Sequence, residues 1–202
     1  MDRLSLSIVA LGANLPSADG SASETLGSAL SILHAEQDIS ISAASRIWQT
    51  PAYPPGSGPD YANAVVLVRS RLAPEALLVR LHAIEARMGR DRGTGRWSAR
   101  VLDLDLIAVG NLVRPDSATQ RAWVALPPAR QAVEAPDRLI LPHPRLQDRG
   151  FVLAPLAEIA PHWCHPLTGR SVAGMLADLG AQGLAGMSPL TAQQGLAQGP
   201  TR

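Results

Sequence analysis

The chain alternates in two rhythms. Leu4, Leu6, Ile8 and Ala10 are separated by Ser5, Ser7 and Val9 and run into the turn Gly12-Ala13-Asn14, a period-two pattern that predicts a first strand. Leu26, Leu30 and Leu33 then recur at spacings of four and three, predicting a helix opened by Ser23. A second strand is predicted over 39–49 and a third over 61–69. Between them 51–59 is so rich in Pro and Gly that it must be a loop, making the two strands a long-looped hairpin. Pro74 suits a first helical turn, and Leu77, Leu78, Leu81, Ile84, Glu85 and Met88 carry a second helix to Gly89. Residues 101–109 give a fourth strand.

The order β-α-β-β-α-β is that of the ferredoxin-like split unit, an antiparallel sheet with helices on one face. Later elements are expected to add to it: an excursion over 114–137 broken by Pro115, Pro127, Pro128 and Pro136, with one or two helical turns; a turn at Pro142-His143-Pro144; a helix over 151–159; a short strand near Trp163; and a small helix over 171–179. The expectation is an α+β fold, αβα in three layers, in one domain spanning 1–180. Residues 181–202, rich in Gly, Gln and Ala without apolar period, read as a frayed tail.

Composition narrows the classes. With 202 residues and 46% hydrophobic positions the chain can bury a core. A net charge of +1 lacks the excess that wrapping a nucleic-acid backbone requires. The single cysteine, Cys164, forbids an internal disulfide and suits a reducing compartment, so cytoplasm is the expected location. The N-terminus does not read as a signal peptide, since Asp2 cancels Arg3 and Ser5 and Ser7 interrupt the apolar run. His162-Trp163-Cys164-His165 imitates a metal tract, but without a second cysteine it is read as structural.

The charge is local. From Arg87 to Arg100 there are five Arg and one Asp, a segment charge of +4, interrupted by Gly93 and Gly95 and followed at once by Asp103 and Asp105. Arginine forks orient phosphate oxygens, and nearby carboxylates hold the Mg²⁺ that bridges them, so this is the composition of a polyphosphate site. On a strand both aspartates share one face, with Leu102, Leu104 and Leu106 on the other. Trp97 in such a loop needs a flat or apolar surface to cover. Tyr61 and Asn63 share a strand face and Phe151 follows a Pro-rich turn, so two rings could sandwich a planar heterocycle while an amide reads its edge. His143, Arg145 and Arg149 around that turn also suit phosphate.

The segments D-Y-A-N-A, I-E-A-R-M-G-R-D-R, R-W-S-A-R-V-L-D-L-D-L-I and L-P-H-P-R-L-Q-D-R-G-F, with the early L-G-A-N, resemble the 6-hydroxymethyl-7,8-dihydropterin pyrophosphokinase family from about Leu4 to Pro166. The resemblance implies transfer of the β,γ-pyrophosphoryl group of ATP to the pterin hydroxymethyl oxygen with release of AMP. It implies two Mg²⁺ ions on Asp103 and Asp105, with Asp105 also a candidate to help deprotonate the alcohol. Arg90, Arg92 and Arg100 match loop residues that contact ATP or close the site, and Trp97 the residue that seals it. His143 and Arg149 match nucleotide-phosphate contacts, and Glu85 a helical acid near the nucleotide. Tyr61 and Phe151 match the rings around the pterin, with Asn63 and the backbone at Thr50 and Ala52 reading its edges and Gly12-Ala13-Asn14 supporting the pocket. The implied partners are these small molecules, with no nucleic acid, membrane or obligate protein.

Three features depart from the family pattern: the long excursion over 114–137, Pro144 where some members carry an aromatic, and Gly93 and Thr94 in place of more polar or basic residues. Two other readings compete. An RNA-binding module on the same core needs base-stacking aromatics on central strands, which are missing here, and Asp103 and Asp105 would repel a phosphate backbone. A metal-dependent nucleotidyltransferase would release pyrophosphate instead of AMP.

Overall fold

The computed structural model describes residues 4–18, 20–52, 58–89, 101–127, 130 and 133–190. The alternating segments become six strands: β1 (Ser5–Ala13), β2 (Ile39–Ala44), β3 (Trp48–Thr50), β4 (Tyr61–Ser70), β5 (Asp103–Val109) and β6 (Ser188–Pro189). The periodic segments become helices α1 (Ala22–Ala35), α2 (Pro74–Arg87), α3 (Ser117–Val124), α4 (Gly150–Ile159) and α5 (Val172–Leu179). The sheet runs β5-β1-β4-β3-β6, with β2 also pairing with β4, and every strand pair is antiparallel. This is a mixed fold of helices on an antiparallel sheet.

Period-two burial sorts the strands between two apolar clusters. Val9, Leu11, Ala64, Val66, Leu104 and Leu106 meet Leu26 and Leu33 of α1 and Leu77, Leu81 and Ile84 of α2. Ile8, Ala10, Val65, Leu67 and Ile107 meet Val152, Leu153 and Leu156 of α4 and Val172 and Met175 of α5. A register shift between β1 and β5 opposite Ile8 and Val9 leaves Ile107 as an extra residue. Period two alone would put Ile107 and Val109 on one face; the bulge instead sends both Ile107 and Ala108 toward α4.

Several boundaries differ from the sequence reading. The first helix is capped by Ser21, not opened by Ser23: Ser21 accepts from Glu24 N–H, and Glu24 reaches back to Ser21 N–H at 2.8 Å, a reciprocal capping box. The predicted strand 39–49 is two strands. Ser45 breaks it by taking both Val65 backbone groups, N–H to Oγ at 2.9 Å and its own N–H to the Val65 carbonyl at 2.9 Å, and Arg46 turns away to Glu158. The fourth strand starts at Asp103 instead of residue 101. Near Trp163 there is only an isolated bridge, Cys164 to Ser171, since Trp163 directs its indole N–H to the Gly110 carbonyl. Of the segment read as a frayed tail, residues 181–190 are described and include regular structure. A 3₁₀ turn at Gln182–Leu184 leads into β6, which pairs with β3. A ten-residue stretch without apolar periodicity gains order here from backbone pairing, which side-chain pattern does not report.

The excursion over 114–137 contains the two-turn helix α3, capped by Asp116. Its neck is closed by a pair of backbone hydrogen bonds between Arg114 and Leu141, 2.9 and 3.1 Å, and the buried Gln120 donates to the Pro142 carbonyl at 3.3 Å. The excursion is therefore fastened directly before His143. No helix among the described residues is long and apolar enough to cross a membrane.

Candidate active site

One face of the sheet, the α4 side, gathers the chemistry. β5 places Asp103 and Asp105 there, both partly exposed, while Leu104 between them is buried toward α2. Cross-strand register then fixes their neighbours. Asp103 is opposite Gly12, Gly12 opposite Asn63, and Asn63 opposite Trp48, so one row of the sheet reads Asp103-Gly12-Asn63-Trp48. Tyr61 and Thr50 form the next pair along β4 and β3, on the same face. The residues expected to bind metal and those expected to read a heterocycle thus share a continuous strip.

Asn63 and Thr50 are both buried, and Asn63 Nδ2 donates to Thr50 Oγ1 at 2.7 Å. The sequence reading assigned Thr50 a backbone contact; its hydroxyl also holds the Asn63 amide in place. Gly12 completes this arrangement. A Cβ at Gly12 would sit 3.0 Å from Asn63 Oδ1, so the amide lies over a position that only glycine leaves open. Asn14, just past the end of the same strand, donates from Nδ2 to the Pro59 carbonyl at 3.4 Å and ties the entry to β4 to the end of β1. Ala52 is buried beyond β3.

At the other end of the strip, Arg149 Nη1 donates to Asp105 Oδ2 at 2.8 Å, with side-chain exposures of 24% and 36%. The Arg149 guanidinium also lies 5.6 Å from the centre of the Phe151 ring, and Phe151 remains 36% exposed at the first turn of α4. Arg149 therefore touches both the acidic pair and an expected ring, a link that neither sequence motif contained. His143 is anchored by its N–H to the Ile107 carbonyl at 2.7 Å, against the bulged part of β5. Its Nδ1 accepts from Arg145 N–H at 3.0 Å, so in the neutral ring Nε2 carries the hydrogen. Burial, reinforced by the nearby Arg149 charge and opposed by Asp105, pushes His143 down to about 4, and the ring is neutral at pH 7.

Glu85, expected near the nucleotide, also faces the strand that carries the aspartates. It is 1% exposed on the core side of α2, and its Oε1 accepts the Leu104 N–H at 2.7 Å. Among the described residues β5 is the last strand of the sheet, and the Leu104 amide, on the side away from β1, is satisfied by this side chain. Glu85 thus positions the residue between the two aspartates. Sequence periodicity put Glu85 on the apolar stripe of α2, and a carboxylate on such a stripe is itself a signal of a backbone partner.

Glu158 of α4 was not singled out from sequence. It accepts from Arg46 N–H at 2.9 Å, from the Arg46 guanidinium at 2.7 and 2.9 Å, and from Trp48 Nε1 at 3.0 Å. Partial burial would raise the pKa of Glu158, but the donors from Arg46 and Trp48 together hold it below the ordinary value. Nothing local in sequence marks this hub, because its members are more than a hundred residues apart.

Arg90, Arg92, Trp97 and Arg100 lie outside the described residues. Among the described residues no third His, Cys, Asp or Glu joins Asp103 and Asp105 in a cluster able to hold a metal. The pair fits Mg²⁺ nonetheless, because that ion is held by one or two carboxylates and completes its shell with water and phosphate oxygens.

Comparison with known proteins agrees with this chemistry. The family model for 7,8-dihydro-6-hydroxymethylpterin-pyrophosphokinase matches residues 8–161. A 2-amino-4-hydroxy-6-hydroxymethyldihydropteridine pyrophosphokinase of Synechocystis sp. is 37% identical over 165 residues, covering 82% of this chain and 71% of the relative. The enzyme of the same name from Methylorubrum extorquens is 32% identical over 174 residues, covering 86% and 93%. Among solved structures, Plasmodium falciparum HPPK-DHPS A437G/K540E with pterin and p-hydroxybenzoate superposes with a TM-score of 0.64 at 12% identity, covering 90% of this chain and 44% of that one. At that identity the likeness speaks to fold alone, and this chain spans less than half of the Plasmodium protein.

Proposed function

The chain belongs to the 7,8-dihydro-6-hydroxymethylpterin-pyrophosphokinase family and transfers pyrophosphate to a hydroxymethyldihydropterin in folate biosynthesis; from that premise we propose that ATP is the donor, AMP the nucleotide released, and the α4 face of the sheet the place of reaction. The observation that carries the reading is the shared strip, with Asp103 and Asp105 in register through Gly12 with the Asn63–Thr50 pair. It supports a polyphosphate at one end and a planar heterocycle at the other.

The hydroxymethyl oxygen attacks the β-phosphorus of ATP, the bond from that phosphorus to the α–β bridging oxygen breaks, and AMP leaves with that oxygen. The alcohol proton passes to a carboxylate, for which we assign Asp105. Transfer of this kind needs in-line placement and charge neutralisation more than a strong base. Two Mg²⁺ ions, held by Asp103 and Asp105 when bound, supply neutralisation of the polyphosphate oxygens. Arg149 shares Asp105 in the free protein and is positioned to exchange that partner for a phosphate oxygen. The neutral His143 offers an Nε2 donor that adds no charge. Tyr61 and Phe151 supply the faces for the pterin, while Asn63 and the backbone at Thr50 and Ala52 read its edges. Arg90, Arg92, Trp97 and Arg100 enter on sequence alone, as the cationic and aromatic groups that cover the nucleotide and keep water from it. Glu85 acts on this site through Leu104.

We also read the strand order β5-β1-β4-β2 with α1 and α2 as the ferredoxin-like split unit, and the second cluster under α4 and α5 as the addition that makes three layers. In this reading the enzyme works in the cytoplasm.

The test is product identity. With ATP, Mg²⁺ and 6-hydroxymethyl-7,8-dihydropterin, AMP should form only when the pterin is present. ADP or free pyrophosphate as product would sink the assignment, the latter in favour of nucleotidyl transfer. Asp103→Ala and Asp105→Ala should abolish turnover with the fold retained by circular dichroism, since both side chains are outside the apolar clusters.

A further inference from the structure

We infer that residues 182–190 are a positioning strap that joins the two sides of the pterin site and sets its affinity for the pterin. The inference rests on the function proposed above. The strap lies wholly beyond residues 8–161, the stretch matched by the family model.

Two of the residues it packs against are each flanked by proposed site residues. The first is Gly150, between Arg149 and Phe151. A Cβ there would lie 2.3 Å from the Gly183 carbonyl oxygen, 3.3 Å from Leu184 Cδ2 and 3.2 Å from Met187 Cε, so the strap's backbone is pressed against the start of α4. The second is Pro51, between Thr50 and Ala52. Gly186 adopts φ +72°, and a Cβ on it would lie 2.7 Å from Pro51 Cγ. The chain then pairs Ser188 with Gln49 and Pro189 with Trp48, and Leu190 N–H donates to the Ile47 carbonyl at 2.7 Å.

β3 has only three residues and pairs on its inner side with β4 over Tyr61–Asn63. A strand that short is weakly specified by its own ladder. With the strap on its outer side it is hydrogen-bonded on both edges, and the Thr50 hydroxyl that orients Asn63 is held with it. Because the same strap abuts Gly150, it couples the edge-reading strand to the turn carrying Arg149 and Phe151. A cover for an exposed strand edge would need only the β6 pairing. The close approaches at Gly150 and at Gly186 show that the strap is packed against the site's two flanks as well.

The experiment compares the full chain with a truncation after Gly180 and with Gly186→Val, which keeps every strap residue but strains the backbone and meets Pro51. For each, KM for 6-hydroxymethyl-7,8-dihydropterin and for ATP are measured separately, with pterin affinity checked by fluorescence titration. Loss of the strap should raise pterin KM and Kd about tenfold and ATP KM by clearly less, since only Arg149 links the strap to the nucleotide while both the Thr50–Asn63 pair and Phe151 link it to the pterin. A peptide of residues 181–202 added to the truncated protein should restore pterin affinity. Unchanged pterin affinity in both variants overturns the inference. So does an equal loss for both substrates, accompanied by a lowered melting temperature and no peptide rescue, which would make the strap a stabilising cover only. If the truncation does not fold, Gly186→Val decides alone by the same split. Failure of the full chain to make AMP from ATP and pterin is a different result, and sinks the underlying function instead.

Discussion

Glu85→Ala separates a positioning carboxylate from a nucleotide-binding one. In the wild type Glu85 Oε1 takes the Leu104 N–H at 2.7 Å, at a site 1% exposed on the side of β5 away from β1. Alanine leaves that amide without this acceptor and without water, at a cost of about 1–3 kcal/mol, and the lost side-chain volume adds to it. About 2 kcal/mol is the central expectation. For a chain of this size that is roughly a 4–8 °C fall in melting temperature. Glu85→Gln keeps an oxygen acceptor for that amide and should recover most of the loss. Because Leu104 separates Asp103 from Asp105, relaxing its amide shifts both carboxylates, and kcat should fall about tenfold or more in Glu85→Ala. The assays are thermal and urea unfolding of the three proteins, alongside steady-state kinetics in both substrates. The reasoning is refuted if Glu85→Ala melts within about 1 °C of wild type, a change too small for a lost buried hydrogen bond, and still raises ATP KM. That pattern would return Glu85 to direct nucleotide contact.

Gly12→Ala should weaken pterin binding selectively, because its Cβ would crowd Asn63 Oδ1 at 3.0 Å and turn the amide off Thr50; unchanged pterin KM would argue against that row as the edge reader. Arg149→Ala should raise ATP KM and lower kcat while costing no more than about 1 kcal/mol in urea unfolding, since its pair with Asp105 is partly solvated. A stability loss with normal kinetics would make the pair merely structural. Stability should also fall on mild acidification through His165, whose pKa is lowered by burial. Below about pH 6.5 the unfolded chain binds a proton that the folded imidazole resists, so unfolding free energy declines as pH drops from 7 to 5.5 and is level above. His165→Asn should flatten that decline, leaving the contribution of the same sign from His143; an unaltered urea-midpoint profile would refute it.

Much of the molecule was legible in its order of residues. Local periodicity specified α2 to the residue at its start, since Pro74 can occupy a first turn but not an interior one, and Gly89 follows its end with φ +88°. The alternation in β5 placed both aspartates on one face without knowledge of any neighbour, because strand period depends only on the backbone. The motifs running from the arginine-rich loop through Pro142-His143-Pro144 to Phe151 carried the family resemblance with which the family model agrees.

What tertiary structure alone decided are the relations between distant segments. Register put Gly12 under Asn63 and set Asp103 in the same row; a shift of one residue would have turned the aspartates to the opposite face. The Arg149 pair with Asp105, the capture of the Leu104 amide by Glu85, and the convergence of Arg46 and Trp48 on Glu158 join positions 19 to 112 residues apart. The pairing of 188–189 with β3 belongs to the same class. Periodicity reports which face of an element is apolar, but a hydrogen bond between remote groups depends on angles and distances that exist only after both cores have closed.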